Sequence, residues 1–198
     1  MSIIEFIILA IAISLEGLIV MHSCATQTRI SLSKGLAESI VFAAVQSIMI
    51  AIGMLLGDLL HFRPANGSSD NAITMLWNDT NNLVYLGLML IVAIRLLFRS
   101  GKKGRQVPPY DISRISTALL LGLAIGINTL IIGIAIGFRL SFADNVWRAT
   151  IPLFVMLSLF SYLGIMIGRQ QRPLRARRYT LFAVLFLLAF ALKGAFWS

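Results

Sequence analysis

Six long apolar runs limit this chain to one architecture. They cover approximately residues 3–21, 35–60, 83–98, 116–138, 146–168 and 179–197 of 198. Each is near the ~20 residues that an α-helix needs to cross a bilayer's hydrocarbon core. In lipid every backbone N–H and C=O must be paired within the protein, so an apolar run of this length predicts a helix. The apolar share is 58% and the mean hydropathy is +0.87. That share exceeds the ~45–50% usual for soluble domains. The expected fold is therefore an all-α integral membrane protein with six transmembrane helices. The stretch from residue 60 to 82 reads as a polar loop. The first run is not a convincing cleavable signal, because it lacks a basic start and carries Glu5 and Glu16.

The net charge is +9, and its distribution predicts orientation. Arg29 and Lys34 flank the first connection. Arg95, Arg99, Lys102, Lys103, Arg105 and Arg114 crowd the third, and Arg169, Arg172, Arg175, Arg177 and Arg178 the fifth. The second connection has only Arg63, and the fourth has Arg139 and Arg148. Basic residues favour the cytoplasmic side, so both termini are expected outside it. Because the charge is confined to loops, it reads as topology, and no nucleic-acid partner is expected. The lipid bilayer is the expected partner. Cys24 is the single cysteine, so no intramolecular disulfide can form.

The first and fourth runs resemble one another. Leu9, Ala12, Ile13, Leu18 and Ile19 recur as Leu121, Ala124, Ile125, Leu130 and Ile131. In this register Glu16 falls opposite Asn128. The pair Gly53 and Gly57 of the second run recurs as Gly164 and Gly168 of the fifth, and Arg95 of the third as Lys193 of the sixth. Three helices per half is an odd number, so the halves would lie upside down to each other, a 3+3 inverted-topology repeat. Repeat one would span about 1–98 and repeat two about 116–198, joined by a basic cytoplasmic linker at 99–115. The whole forms one membrane domain.

A carboxylate within a span costs roughly 2.5–3.5 kcal/mol on an insertion scale and marks a functional position by default. Glu16 and Asn128 are thus the candidate site, near the midplane between the repeats. Gln46 lies on the glycine face of the second helix and should point at a partner helix. Gln46, Ser14 and Thr129 offer further oxygens. Such oxygens are hard ligands, suited to manganese, magnesium or calcium. Arg95 and Lys193 either snorkel to opposite surfaces or pair with Glu16. A purely structural reading stands beside the functional one: an intramembrane amide often joins helices. His22 and His61 fall at opposite span ends and receive no role. No nucleophile-and-base arrangement or His/Cys metal spacing appears, so an enzyme is not expected. No resident cofactor is expected either.

On these residues the chain resembles the MntP-like manganese efflux pump family along nearly its whole length. The resemblance runs through Ser14, Leu15 and Glu16 in the first helix, and through Phe42, Gln46, Gly53 and Gly57 in the second. It continues through Gly126, Asn128, Gly133 and Phe138 in the fourth and Ser161, Gly164, Gly168 and Arg169 in the fifth. It implies a six-helix exporter of manganese(II) in the bacterial inner membrane. Aspartates are usual in the first and fourth helices of that family, where this chain has Glu16 and Asn128. Two other readings stay open: an exporter of another small solute on the same fold, and a non-transporting membrane protein that has lost the metal site.

Overall fold

The computed structural model describes residues 3–27, 31–61, 71–101, 115–170 and 176–196. These form six helices: α1 (Ile3–Ala25), α2 (Leu32–Leu60), α3 (Asn71–Gly101), α4 (Ile115–Gly137), α5 (Phe142–Arg169) and α6 (Ala176–Phe196). No strand occurs among the described residues. Five helices carry a stretch long and apolar enough to cross a membrane, and α6 carries a shorter apolar stretch, Arg178–Ala189.

One expectation needs correcting. The polar stretch expected as a loop from residue 60 to 82 is helical from Asn71 onward. Its Asn and Asp content ends the apolar run, but it does not end the helix. Helical hydrogen bonds form wherever the chain continues, and only the hydrocarbon demands apolar side chains. The candidate span accordingly begins at Thr80, well inside α3. The basic linker expected at 99–115 lies largely outside the described residues.

Local chemistry shapes the helix ends and middles. Ser31 caps α2, its side chain accepting from the Lys34 N–H at 3.4 Å. In α5, Pro152 sits within the helix, where it removes one backbone donor. The Thr150 hydroxyl donates back to the Val146 carbonyl at 2.8 Å and the Ser158 hydroxyl to Phe154 at 2.7 Å. Neither hydroxyl is thereby left unpaired inside a span.

The surface is inverted relative to a soluble protein. Leu59, Leu83, Leu120, Phe98 and Trp147 are two-thirds exposed or more, while Ser14, Ser39, Gln46, Asn128, Thr129 and Ser161 are buried. Apolar side chains face outward because lipid accepts them, and polar ones face inward because only protein can pair them. The molecule is a multi-pass membrane protein.

Packing follows a regular scheme. α2 lies on α4 and α5, α1 on α5 and α6, and α3 on α4 and α6. Exchanging α1 with α4, α2 with α5 and α3 with α6 returns the same set of neighbours. Residue numbers also rise together along α2 and α4: Gly122 meets Val45, Gly126 meets Met49, and Gly137 meets Met54 and Gly57. These two helices run in the same direction. So do α1 and α5, since Gly164 meets Leu18 and Gly168 meets His22 and Ala25. Against α5, α2 runs in reverse: Gly35 meets Ile165, and Phe42 shares the Gly17 contact with Leu157 and Ser161. It follows that α1 and α4 point in opposite directions.

The glycines carry these crossings. A methyl group on Gly53 would collide with the backbone of Leu130, Gly133 and Ile134. One on Gly164 would collide with that of Leu18 and approach the His22 N–H. Leu18 is to Leu130, and His22 to Ile134, as Glu16 is to Asn128, 112 residues apart. Gly57 against Ile134 and Gly137 likewise matches Gly168 against His22 and Ala25. Backbones this close gain van der Waals contact along both seams, which is what holds helices together in lipid.

Candidate functional site

α1 and α4 are not among the helix pairs that pack along their length, yet one polar contact joins them. The Asn128 amide Nδ2 donates to both oxygens of Glu16, at 3.1 Å to Oε1 and 3.2 Å to Oε2. Asn128 is buried and Glu16 is half-buried. The two residues that the repeat register places opposite each other therefore meet across the middle of the bundle. A charge-assisted bond of this kind is roughly twice as strong as a neutral one. Asn128 Oδ1 is buried without a hydrogen-bond partner. An unpaired carbonyl oxygen beside a carboxylate is costly in the closed interior, and it is also a free ligand atom.

Gln46 sits one seam away, with another set of partners. Its Nε2 donates to the Gly122 carbonyl at 2.9 Å, and its Oε1 accepts from the Thr129 hydroxyl. Both residues are 1% exposed. The expected orientation of Gln46 toward a partner helix is observed, and that partner is α4. Its oxygen and that of Thr129 bond each other instead of pointing into an open site. Gln46 thus fixes the rotation of α4 and, through Thr129, the aim of the neighbouring Asn128.

Ser14 is fully buried, and its hydroxyl has no partner. Ser161 of α5 is also fully buried and unpartnered at Oγ, and it stands 3.0 Å from where a Cβ of Gly17 would lie. Gly17 lets α5 bring this hydroxyl up to α1 at the level of Glu16. Arg95 is exposed on α3 and takes part in no hydrogen bond or ion pair among the described residues. Lys193 lies on α6, with its side chain outside the described residues. His61 meets Asn81 at 2.9 Å. Among the described residues no group of three His, Cys, Asp or Glu gathers as a metal cluster. Any ion here would rely on one carboxylate, neutral oxygens and retained water.

Reading the sequence missed Glu38. It falls inside the second apolar run and receives no role there, yet it is 2% exposed on α2, with Oε2 buried and unpartnered. The available signal was its position on the same helical face as Gly35, Phe42 and Gln46.

Comparison with known proteins places the chain among transporters by sequence. The profile of the family described as "Putative manganese efflux pump" matches residues 29–194. The chain is similar to the protein named "Putative manganese efflux pump MntP" of Saccharophagus degradans, 28% identical over 197 residues and 96% of each chain. No solved structure matches it.

Proposed function

The chain belongs to the MntP family of manganese efflux pumps, and from that premise we propose that it exports manganese(II) around the Glu16–Asn128 pair. The observation that carries the reading is the pairing itself: a carboxylate and an amide on oppositely directed helices, joined where those helices do not otherwise pack. The symmetric set of helix neighbours and the matched glycine seams support two inverted repeats that rock against each other, the usual basis of alternating access.

The amide gives the site two settings. Without a cation, the Asn128 NH2 satisfies the carboxylate of Glu16. A half-turn of the amide group exchanges its donor for its acceptor. Oδ1 and the carboxylate then face the same point, and both are hard oxygens of the kind manganese(II) accepts. Water and backbone carbonyls complete the shell. Gln46 and Thr129 hold α4 at the rotation this requires. The basic loops support cytoplasmic odd connections and extracytoplasmic termini in a bacterial inner membrane. Neither an exporter of another solute nor a protein that has lost the site is favoured by these findings.

The test is export in cells. A bacterial strain made manganese-sensitive by loss of its own exporter is supplied with the wild type or with Glu16→Gln at equal expression. Cell-associated manganese is measured after a manganese load. The wild type is expected to lower it and restore growth, and Glu16→Gln is expected to do neither. Unchanged manganese in cells carrying the wild type would overturn the proposal.

A further inference from the structure

We infer that Glu38 is a second cation-binding carboxylate, a stepping site for the exported divalent ion between the N-terminal end of α2 and the Glu16–Asn128 pair. The inference rests on the export reading above and deepens it.

The placement follows from the seam between α2 and α5. Phe42 and Ser161 both reach Gly17, the residue after Glu16. Gly35, further toward the α2 N-terminus, rests on Ile165. Glu38 lies between these two layers on the same buried face. It is four residues from Phe42, or about 6 Å along the helix axis. Its carboxylate is therefore about one turn from the layer that holds Glu16, on the side where the basic loops put the cytoplasm.

Burial makes the position costly. Glu38 is 2% exposed and Oε2 has no hydrogen-bond partner. Lys34, one turn earlier, is exposed; its charge reaches the acid from the surface, but Oε2 itself has no hydrogen-bond partner. Ser39, the neighbouring hydroxyl, is taken by the Gly35 carbonyl at 2.8 Å. The independent sign of a ligand is a second orphan, about one turn further along, in the layer where Phe42 and Ser161 reach Gly17. Ser161 Oγ, fully buried, also lacks a partner. Two unpaired hard oxygens in successive layers suit a hydrated divalent cation passing from one to the next and suit no apolar occupant. A buried acid in a span is expensive to keep, and one that steps a cation toward Glu16 has a use that offsets the cost. A cation arriving from the cytoplasm would meet Glu38 first and then the Glu16–Asn128 pair.

The experiment measures initial rates of manganese flux in proteoliposomes over a range of concentrations at the α2 N-terminal face. It compares the wild type, Glu38→Gln, Glu38→Asp and Glu16→Gln. Glu38→Gln is expected to raise half-saturating manganese by about tenfold or more, the lower end of what losing even an outer partner costs a metal site. Glu38→Asp keeps the charge and is expected to shift it the same way by less. Glu16→Gln is expected to transport nothing. A wild type that moves no manganese sinks the export reading and this inference together. A functional wild type matched by Glu38→Gln in half-saturation sinks the inference alone, as does a Glu38→Gln variant altered only in its pH dependence. Should Glu38→Gln fail to stay monodisperse in detergent, Glu38→Asp decides: unchanged half-saturation would assign Glu38 to folding and overturn the proposal.

Discussion

At the residue scale, the distinctive feature is an amide where a second acid would repel. Glu16 and Asn128 sit within hydrogen-bond distance, and two carboxylates that close would oppose each other's ionisation. The amide lets the empty site rest with its one charge paired. Asn128→Asp should therefore separate two properties. In chelator the variant is expected to unfold at lower temperature than the wild type, because the donor is gone and a like charge takes its place. With manganese present it is expected to gain more thermal stability than the wild type does, because the ion then meets two charges. Thermal unfolding with and without manganese checks both signs. Gln46→Leu makes a contrasting case. It removes the added bond to the Gly122 carbonyl, which keeps its helical bond, and leaves the buried Thr129 hydroxyl without its partner, at a cost of about 1–3 kcal/mol for a buried group so orphaned. Stability should fall with or without the ion. Glu16, Asn128 and Gln46 were legible in the sequence because each interrupts an apolar run or faces a glycine stripe. The Gln46–Thr129 bond was not, since helix rotation is set by packing that no single run reveals. Glu38 was hidden for a related reason: four residues from Lys34 and near a span end, it reads like an interfacial charge until the neighbouring helices bury it.

At the level of helices, the glycines are the selective contacts. Gly53 and Gly57 lie where the backbones of α2 and α4 touch, with no room for a methyl group. Gly87, in the middle of α3, has nothing within 4 Å of the same position. Gly53→Ala is expected to push α2 from α4, break the Gln46 bonds and lower the unfolding temperature markedly. Gly87→Ala is expected to be neutral or to stabilise by up to about 1 kcal/mol, the helix-propensity difference. Unfolding of the two purified variants in detergent, followed by circular dichroism, compares them directly, and equal losses would contradict the packing described here. The apolar period made α1, α2, α4 and α5 legible, and glycine spacing pointed to their close seams. The start of α3 escaped notice because the polar cluster at 78–82 separates its first turns from the apolar run, and hydropathy detects lipid contact. Which helices adjoin was also beyond the sequence, since a glycine stripe says that a partner comes close and not which one.

For the molecule as a whole, exporting a divalent cation raises a question of energy. An inside-negative potential opposes outward movement of two charges by about 4.6 kcal/mol per 100 mV. Under the export reading, another ion moving inward would offset that opposition. Protons suit the site chemically, because Glu16 can carry one inward when manganese has left and the Asn128 amide can turn to accept from the protonated acid. Exchange of this kind works only if cation and proton compete for one group that opens to one side at a time, as a site between inverted repeats does. In inside-out membrane vesicles, manganese accumulation should then accelerate when the interior is made acidic, and an uncoupler should abolish the acceleration. Glu16→Gln should remove uptake and its response to the gradient together, because a single carboxylate serves both ions. Uptake that proceeds at the same rate with and without the gradient would rule out proton exchange. A metal cation moving inward is then the counter-ion to test, by replacing sodium and potassium in the vesicle lumen.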